Sequence, residues 1–180
     1  MTTVHGLVCV YYRGRFAAAK RTTNSYPQGN GEGMGLLRFL WEPGNIERLR
    51  EGLQYVATPT PEIYGLGLAT GADLLNIIAQ ATAKNYTTIR LDLDFATSGW
   101  CDWAYIVDLD RNTFDVFGSE EKKREAPITT RFSDLGDGDD HVTVPALLQS
   151  FPFSRLPATE KEFRRALEAR MRTDLWYREY

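Results

Sequence analysis

The first apolar positions of the chain form the run at residues 4–10, whose β-branched residues fall on both faces. This pattern is typical of a strand that is covered on both sides. Arg13 and Gly14 follow and predict a two-residue turn, because glycine tolerates a positive φ. Residues 15–20 predict the returning strand, so the chain is expected to open with a β-hairpin.

The most regular alternation lies in the middle of the chain. In residues 87–95 every second position is apolar or a threonine, which predicts a strand with one buried face. Apolar residues alternate again over residues 103–109, and residues 110–113 predict a turn before a returning strand. A second hairpin is therefore expected here.

Helical spacing of apolar residues predicts the other main elements. It predicts helices over residues 36–41, 45–54 and 70–85, and a last helix that begins with a capping box of Thr159 and Glu162. Hairpins at both ends, with helices between and after them, are typical of an α+β fold. We expect a layered, mainly antiparallel sheet with helices packed on it.

Length and composition bound this picture without changing it. A chain of 180 residues with 43% hydrophobic and 25% charged residues fits one soluble globular domain over residues 1–180. It excludes a mainly disordered chain, a collagen-like fibre and a bare coiled coil. No apolar run is long enough for a membrane helix, and the N-terminus lacks the pattern of a signal peptide. We therefore expect a cytoplasmic protein with no membrane partner.

The charge is small overall, with a formal net value of −3, but it is unevenly distributed. Basic residues cluster in the first hairpin at Arg13, Arg15, Lys20 and Arg21. Such a cluster is either a solvated hairpin surface or a binding site for an anionic ligand. The acidic balance of the whole chain argues against extensive contact with nucleic acid.

Residues 24–35 form a glycine-rich segment that follows the first hairpin. A strand, a glycine-rich turn and a helix start can bind an anion through backbone N–H groups. The spacing matches neither nucleotide-binding fingerprint. The segment is therefore either a tight connection or a pocket for an anion or carboxylate. In the second case Asn24, Gly29 and Gly31 would line the pocket, and Ser25 and Tyr26 would supply polar contacts or proton transfer.

Two hairpin turns and the segment between them carry a resemblance. Gly6-Leu7, Arg13-Gly14 and the sequence Asn24-Ser25-Tyr26-Pro27 with Gly29 and Gly31 resemble a family of small uncharacterised fungal proteins, and residues 105–117 resemble it too. The family pattern has Asp where this chain has Asn24. The resemblance covers about a third of the chain and implies no particular activity.

The N-terminal strand is also similar to that of the N-terminal-nucleophile hydrolases. In that class a small residue at the N-terminus precedes an apolar strand, and its hydroxyl is activated by its own α-amine. The similarity implies Thr2 as the nucleophile once Met1 is removed, and a hydrolase-like layered arrangement. His5 lies near Thr2 in sequence and is either an acid or base in such a site or a structural histidine.

Other potential ligands for a metal or cofactor give no clear motif. Four aspartates on the predicted middle strands face one way, either as a solvated outer face or as a carboxylate cluster; they are Asp92, Asp94, Asp108 and Asp110. Residues 137–141 contain carboxylates without EF-hand spacing. Cys9 and Cys101 are expected to be reduced and packed. We expect no metal and no cofactor.

Taken together, the sequence favours a small enzyme that acts on an amide-bearing, aminoacyl or anionic small molecule at the 24–35 segment. An aminoacyl-tRNA-dependent transferase similar to the cyclodipeptide synthases is an alternative, with tRNA as a less favoured partner. A non-catalytic binding or interaction module is the other alternative. An enzyme predicts a concave pocket with titratable side chains, whereas an interaction module predicts a flat apolar patch. The sequence predicts no oligomeric state.

Overall fold

Seven strands and four helices make up the regular structure. The computed structural model describes residues 4–57, 71–119, 130–136 and 144–171. The strands are β1 (His5–Tyr12), β2 (Arg15–Thr23), β3 (Val56–Ala57), β4 (Thr87–Thr88), β5 (Trp103–Asp108), β6 (Thr113–Gly118) and β7 (Ala146–Pro152). The helices are α1 (Glu32–Trp41), α2 (Asn45–Gly52), α3 (Gly71–Gln80) and α4 (Glu160–Glu168).

Five strands form one mixed sheet in the order β2-β1-β5-β6-β7. Three of the neighbouring pairs are antiparallel, and β1 pairs with β5 in parallel. The predicted hairpins are both present, as β1–β2 and β5–β6. The α+β class and the mainly antiparallel sheet are thus confirmed, while the parallel pairing at the centre was not foreseen.

The two central strands are buried because both faces of the sheet are covered. All six residues of β5 are buried. On one face the helices pack over a core that contains Val8, Tyr105 and Phe114, together with Phe163 from α4. On the other face, 3-10 turns at Leu93–Thr97 and Ser133–Gly136 border a second core around Leu7, Ile106 and Phe132.

The strand predicted over residues 87–95 is wrong beyond its first two residues. Only Thr87–Thr88 form a strand, and Leu91 makes an isolated bridge to Ala19. The chain then turns at Leu93–Thr97 and places Phe95 over the second face of the sheet. Alternation failed here because the apolar residues cover the sheet from outside instead of belonging to one of its strands.

The helix predictions are confirmed in type and corrected at their ends. α1 begins at Glu32, inside the segment expected to be irregular, and Gly44 precedes α2 as its N-cap in place of Asn45. The Asn45 side chain instead donates a hydrogen bond to the Phe39 carbonyl oxygen at 2.8 Å. The proposed start of the third helix at residue 70 lies outside the described residues.

The capping box of α4 is confirmed. The Thr159 hydroxyl oxygen accepts a hydrogen bond from the Glu162 N–H at 3.2 Å, and the Glu162 carboxylate accepts one from the Ala158 N–H at 2.8 Å. Both side chains satisfy N–H groups that the helix itself leaves without a partner. Within the described ranges, no helix combines the length and the apolar character that crossing a membrane requires.

We expect Gly6→Ala to destabilise the protein by about 1–3 kcal/mol, the range for overpacking a tight core. A Cβ atom at Gly6 would lie 2.5 Å from the Ser25 Cβ and 2.6 Å from the Trp103 carbonyl oxygen. Urea unfolding followed by circular dichroism measures the change. Gly14→Asn is the control, because Gly14 has a positive φ of 75° and open space around its Cβ position. Equal stability of the two variants would contradict the close contact.

Candidate functional site

The glycine-rich segment is closed upon itself around Ser25, which is fully buried. The Ser25 hydroxyl is hydrogen-bonded to that of Thr22 at 2.8 Å, and its carbonyl oxygen accepts a hydrogen bond from the Tyr105 hydroxyl at 2.7 Å. Its N–H donates to the Val4 carbonyl oxygen at 3.2 Å. Every polar group of Ser25 is therefore engaged, and a substrate would reach its hydroxyl only after the surrounding chain had moved.

Close backbone packing explains the glycines that the sequence placed in a pocket. A Cβ atom at Gly31 would collide with the carbonyl oxygens of Tyr26 and Gln28. Gly29 has a positive φ of 62°, and its N–H donates to the Glu160 carboxylate of α4 at 2.8 Å. The Asn24 side chain donates to the Asn30 carbonyl oxygen at 3.1 Å, which completes the closure of the segment. These contacts favour the tight connection over the anion pocket.

The basic residues of the first hairpin do not meet at this segment. Arg13 lies at the hairpin tip, where its N–H donates to the Asp110 carboxylate at 2.9 Å. Arg15 begins β2 and Thr23 ends it, so about 25 Å of strand separates Arg15 from the segment. The expectation that Arg13 and Arg15 bind a ligand there is therefore corrected by the topology of the hairpin.

Lys20 and Arg21 lie closer to the segment but contact other parts of the chain. The Lys20 ammonium is 3.8 Å from the Asp92 carboxylate, which also accepts a hydrogen bond from the Arg21 N–H at 3.1 Å. The Arg21 guanidinium lies over the Phe95 ring, 4.5 Å from its centre. These contacts attach the 3-10 turn at Leu93–Thr97 to β2.

The remaining predicted catalytic residues are separated from one another or are not described. Thr2 lies outside the described residues, so its proposed role stays a prediction. The His5 N–H donates to the Asp102 carboxylate at 3.2 Å, and its Nδ1 atom is buried with no hydrogen-bond partner among the described residues. Tyr26 is half-buried and packs against the helix-side core.

Two of the aspartates expected on a solvated face serve as structural acceptors. Asp108 is fully buried, and its carboxylate accepts hydrogen bonds from the N–H groups of Asp110 and Arg111 at 3.0 and 2.9 Å. It also forms an ion pair with Arg131 at 3.0 Å, which holds the segment of residues 130–136 on the second face of the sheet. The solvated-face interpretation is therefore wrong for Asp108, because the β5–β6 turn needs its carboxylate inside.

Sequence reasoning missed Asp115, a second buried carboxyl on β6. Its carboxyl accepts a hydrogen bond from the Ser150 hydroxyl at 2.5 Å. Burial raises the pKa of Asp115 above its ordinary value, the hydroxyls of Ser150 and Thr113 lower it, and the nearby Asp108 raises it. A single aspartate within the apolar run of residues 113–118 was the available signal.

The two cysteines are free and buried, as the sequence predicted. Burial raises the pKa of Cys101 to about 12, with a further increase from the neighbouring Asp102 carboxylate. Burial also raises the pKa of Cys9 well above its ordinary value. Both thiols are thus neutral near pH 7 and poor nucleophiles in this arrangement. Among the described residues, no group of three or more His, Cys, Asp or Glu side chains is placed to bind a metal ion.

A cleft of about 590 Å³ lies where α2 ends beside the turn that follows α3. The sequence gave no sign of it. It is lined by Arg48, Glu51, Gly52, Gln54, Tyr55, Ala79, Ala81, Thr82, Ala83 and Lys84. Its volume falls within the range of small-molecule sites.

One side of the cleft comes from a single helical face. Arg48, Glu51 and Tyr55 are three and four residues apart, so α2 and the 3-10 turn after it present them in one row. Gly52 lies next to this row, where a Cβ atom would collide with the Ile78 carbonyl oxygen of α3. The two helices therefore approach at backbone distance, and the cleft opens beside their contact.

The opposite side comes from the tight turn after α3. The N–H of Thr82 donates to the Asn85 carbonyl oxygen at 3.1 Å, and the N–H of Asn85 donates back at 2.9 Å. Lys84 lies in this turn. Tyr86 follows, 65% exposed, and packs edge to face against the cleft residue Tyr55 with 5.6 Å between ring centres. The cleft thus combines charged groups, hydrogen-bonding groups and an exposed aromatic ring.

Comparison of the chain with models of protein families, with curated proteins and with solved structures finds no match.

We expect Ser25→Ala to destabilise the protein by about 1–3 kcal/mol, because it leaves the buried Thr22 hydroxyl without its partner. The double variant Ser25→Ala/Thr22→Val removes both hydroxyls and should be more stable than Ser25→Ala alone. Chemical denaturation of the three proteins measures this. A Ser25→Ala protein as stable as the wild type would contradict a structural role for this hydroxyl.

Asp115→Asn should change how stability depends on pH. Because burial raises the pKa of Asp115 in the folded state, the unfolded state ionises first as the pH rises, and the wild type loses stability from this group above pH ~4. Asparagine does not ionise, and its side-chain oxygen can still accept from Ser150. The free energy of unfolding of the variant minus that of the wild type should therefore increase between pH 4 and pH 7. A constant difference would contradict the raised pKa.

Proposed function

We propose that this protein binds a small molecule that carries a carboxylate or similar anionic group and an amide, and that the ligand occupies the cleft between α2 and the turn after α3. The cleft carries the proposal because its lining combines two cationic side chains, Arg48 and Lys84, with amide and hydroxyl groups from Gln54 and Thr82. The ligand class is the one that the sequence favoured, but the site differs.

The cations of the cleft support an anionic group on the ligand. Arg48 and Lys84 outnumber Glu51, so the described lining has an excess of one positive charge at neutral pH. None of the three side chains forms an ion pair with another described residue. In contrast, Lys20 and Arg131 are each paired with a carboxylate. The charges of the cleft are therefore available to a ligand.

Polar side chains support the amide. Gln54 offers both a donor and an acceptor, and Thr82 offers a hydroxyl that does either. An amide needs this combination, because its N–H and its carbonyl oxygen both lose water on binding. The half-buried Tyr55 and the exposed Tyr86 provide apolar surface for the rest of the ligand.

Catalysis at the 24–35 segment is a separate hypothesis that the proposal does not need. Its predicted proton-transfer residue Ser25 is engaged inside the fold. An N-terminal-nucleophile hydrolase would act through Thr2, which lies outside the described residues. Both hypotheses predict loss of a reaction on substitution of these residues, whereas the cleft proposal predicts loss of binding on substitution of Lys84.

Thermal unfolding in the presence of N-acetyltyrosine, the dipeptide Ala-Tyr and inorganic phosphate tests the proposal. We expect N-acetyltyrosine or Ala-Tyr to raise the melting temperature by about 3–5 °C at ten times its dissociation constant. Lys84→Met should reduce this shift, since it removes one cation from the cleft while keeping an unbranched side chain.

The matched control is Lys161→Met, at an exposed lysine of α4 away from the cleft. It should leave the shift unchanged. No shift with either amide compound, or a shift that Lys84→Met and Lys161→Met affect equally, would contradict the proposed site. A shift with phosphate alone would retain an anion site and reject the amide.

A further inference from the structure

Glu51 is the charge in the cleft that an anionic ligand does not explain. It lies on α2 three residues after Arg48, at a spacing that permits an ion pair on a helix surface. The two do not form one: the Arg48 guanidinium donates to the Pro43 carbonyl oxygen at 3.3 Å. Glu51 has no ion-pair partner among the described residues. The cleft therefore presents a carboxylate of its own.

A negative group in a ligand cleft costs affinity for a simple anion, because like charges repel. It favours a ligand that brings a cation, since a charged hydrogen bond between an ammonium and a carboxylate is stronger than a neutral one. Charges of both signs in one cleft therefore fit a ligand with charges of both signs. A phosphate or another dianion fits less well.

We propose that the ligand is zwitterionic, a short peptide with a free amino group and a free carboxylate, bound with its ammonium at Glu51 and its carboxylate at Lys84 and Arg48. This inference rests on the proposed function and adds the second charge to it. Gln54 and Thr82 serve the peptide amide. The aromatic pair of Tyr55 and Tyr86 serves an aromatic side chain, since edge-to-face and stacked ring contacts are favourable.

Capping each end of one peptide separates the two charges. Isothermal titration would compare Ala-Tyr with its N-acetylated form and with its C-terminal amide. We expect either cap to weaken binding about fivefold, the upper end for an exposed ion pair. Glu51→Gln should weaken binding of Ala-Tyr and remove the difference between Ala-Tyr and its N-acetylated form. Lys84→Met should remove most of the difference between Ala-Tyr and its amide.

Glu47→Gln is the matched control, because Glu47 is exposed on the same helix and does not line the cleft. It should preserve both differences. Circular dichroism of each variant establishes that it is folded before titration.

The outcomes distinguish this inference from the proposed function. If N-acetylated Ala-Tyr binds as tightly as Ala-Tyr and Glu51→Gln changes nothing, the zwitterion is rejected while the carboxylate- and amide-binding site stands. If none of the three peptides binds, both are rejected. If the N-terminal cap weakens binding equally in wild type, Glu51→Gln and Glu47→Gln, the ammonium site is not Glu51 and the inference is overturned.

Discussion

The rest of the structure depends on the parallel pairing of β1 with β5. These strands belong to different hairpins, and six residue pairs join them, from Gly6 opposite Trp103 to Tyr11 opposite Asp108. Hydrogen bonds from the Asp102 N–H to the His5 carbonyl oxygen and from the Leu109 N–H to that of Tyr11 extend the contact at both ends. Parallel neighbours require a long crossover connection, and here that connection contains α1, α2 and α3.

This connection relates the two regions that were compared as sites. Its beginning is the segment around Ser25, which is fixed against β1 and Tyr105 and therefore acts as an anchor. The cleft lies further along, where α2 and α3 end and fewer contacts to the sheet restrain the side chains. Rigid attachment at one place and exposed polar groups at another are a common division between the scaffold of a protein and its binding surface.

Local signals in the sequence predicted the elements that local interactions determine. The capping box at Thr159 and the hairpin turn at Gly14 involve residues within four positions of each other, so their chemistry is visible in the sequence. The interior position of Asp108 depends on Arg131, and the turn at residues 93–97 depends on a sheet formed elsewhere in the chain. The cleft depends on two helix ends meeting in space, and Arg48 and Glu51 alone resemble any polar helix surface.

The contact between Gly52 and Ile78 has a consequence for the evolution of this protein. The floor of the cleft exists because one residue has no side chain, so α2 and α3 can touch there along their backbones. A single added methyl group would force the helices apart and alter the spacing of every group above them. The dimensions of the recognised molecule are thus coupled to one codon, and relatives that select a larger or smaller compound are expected to differ first at this helix crossing.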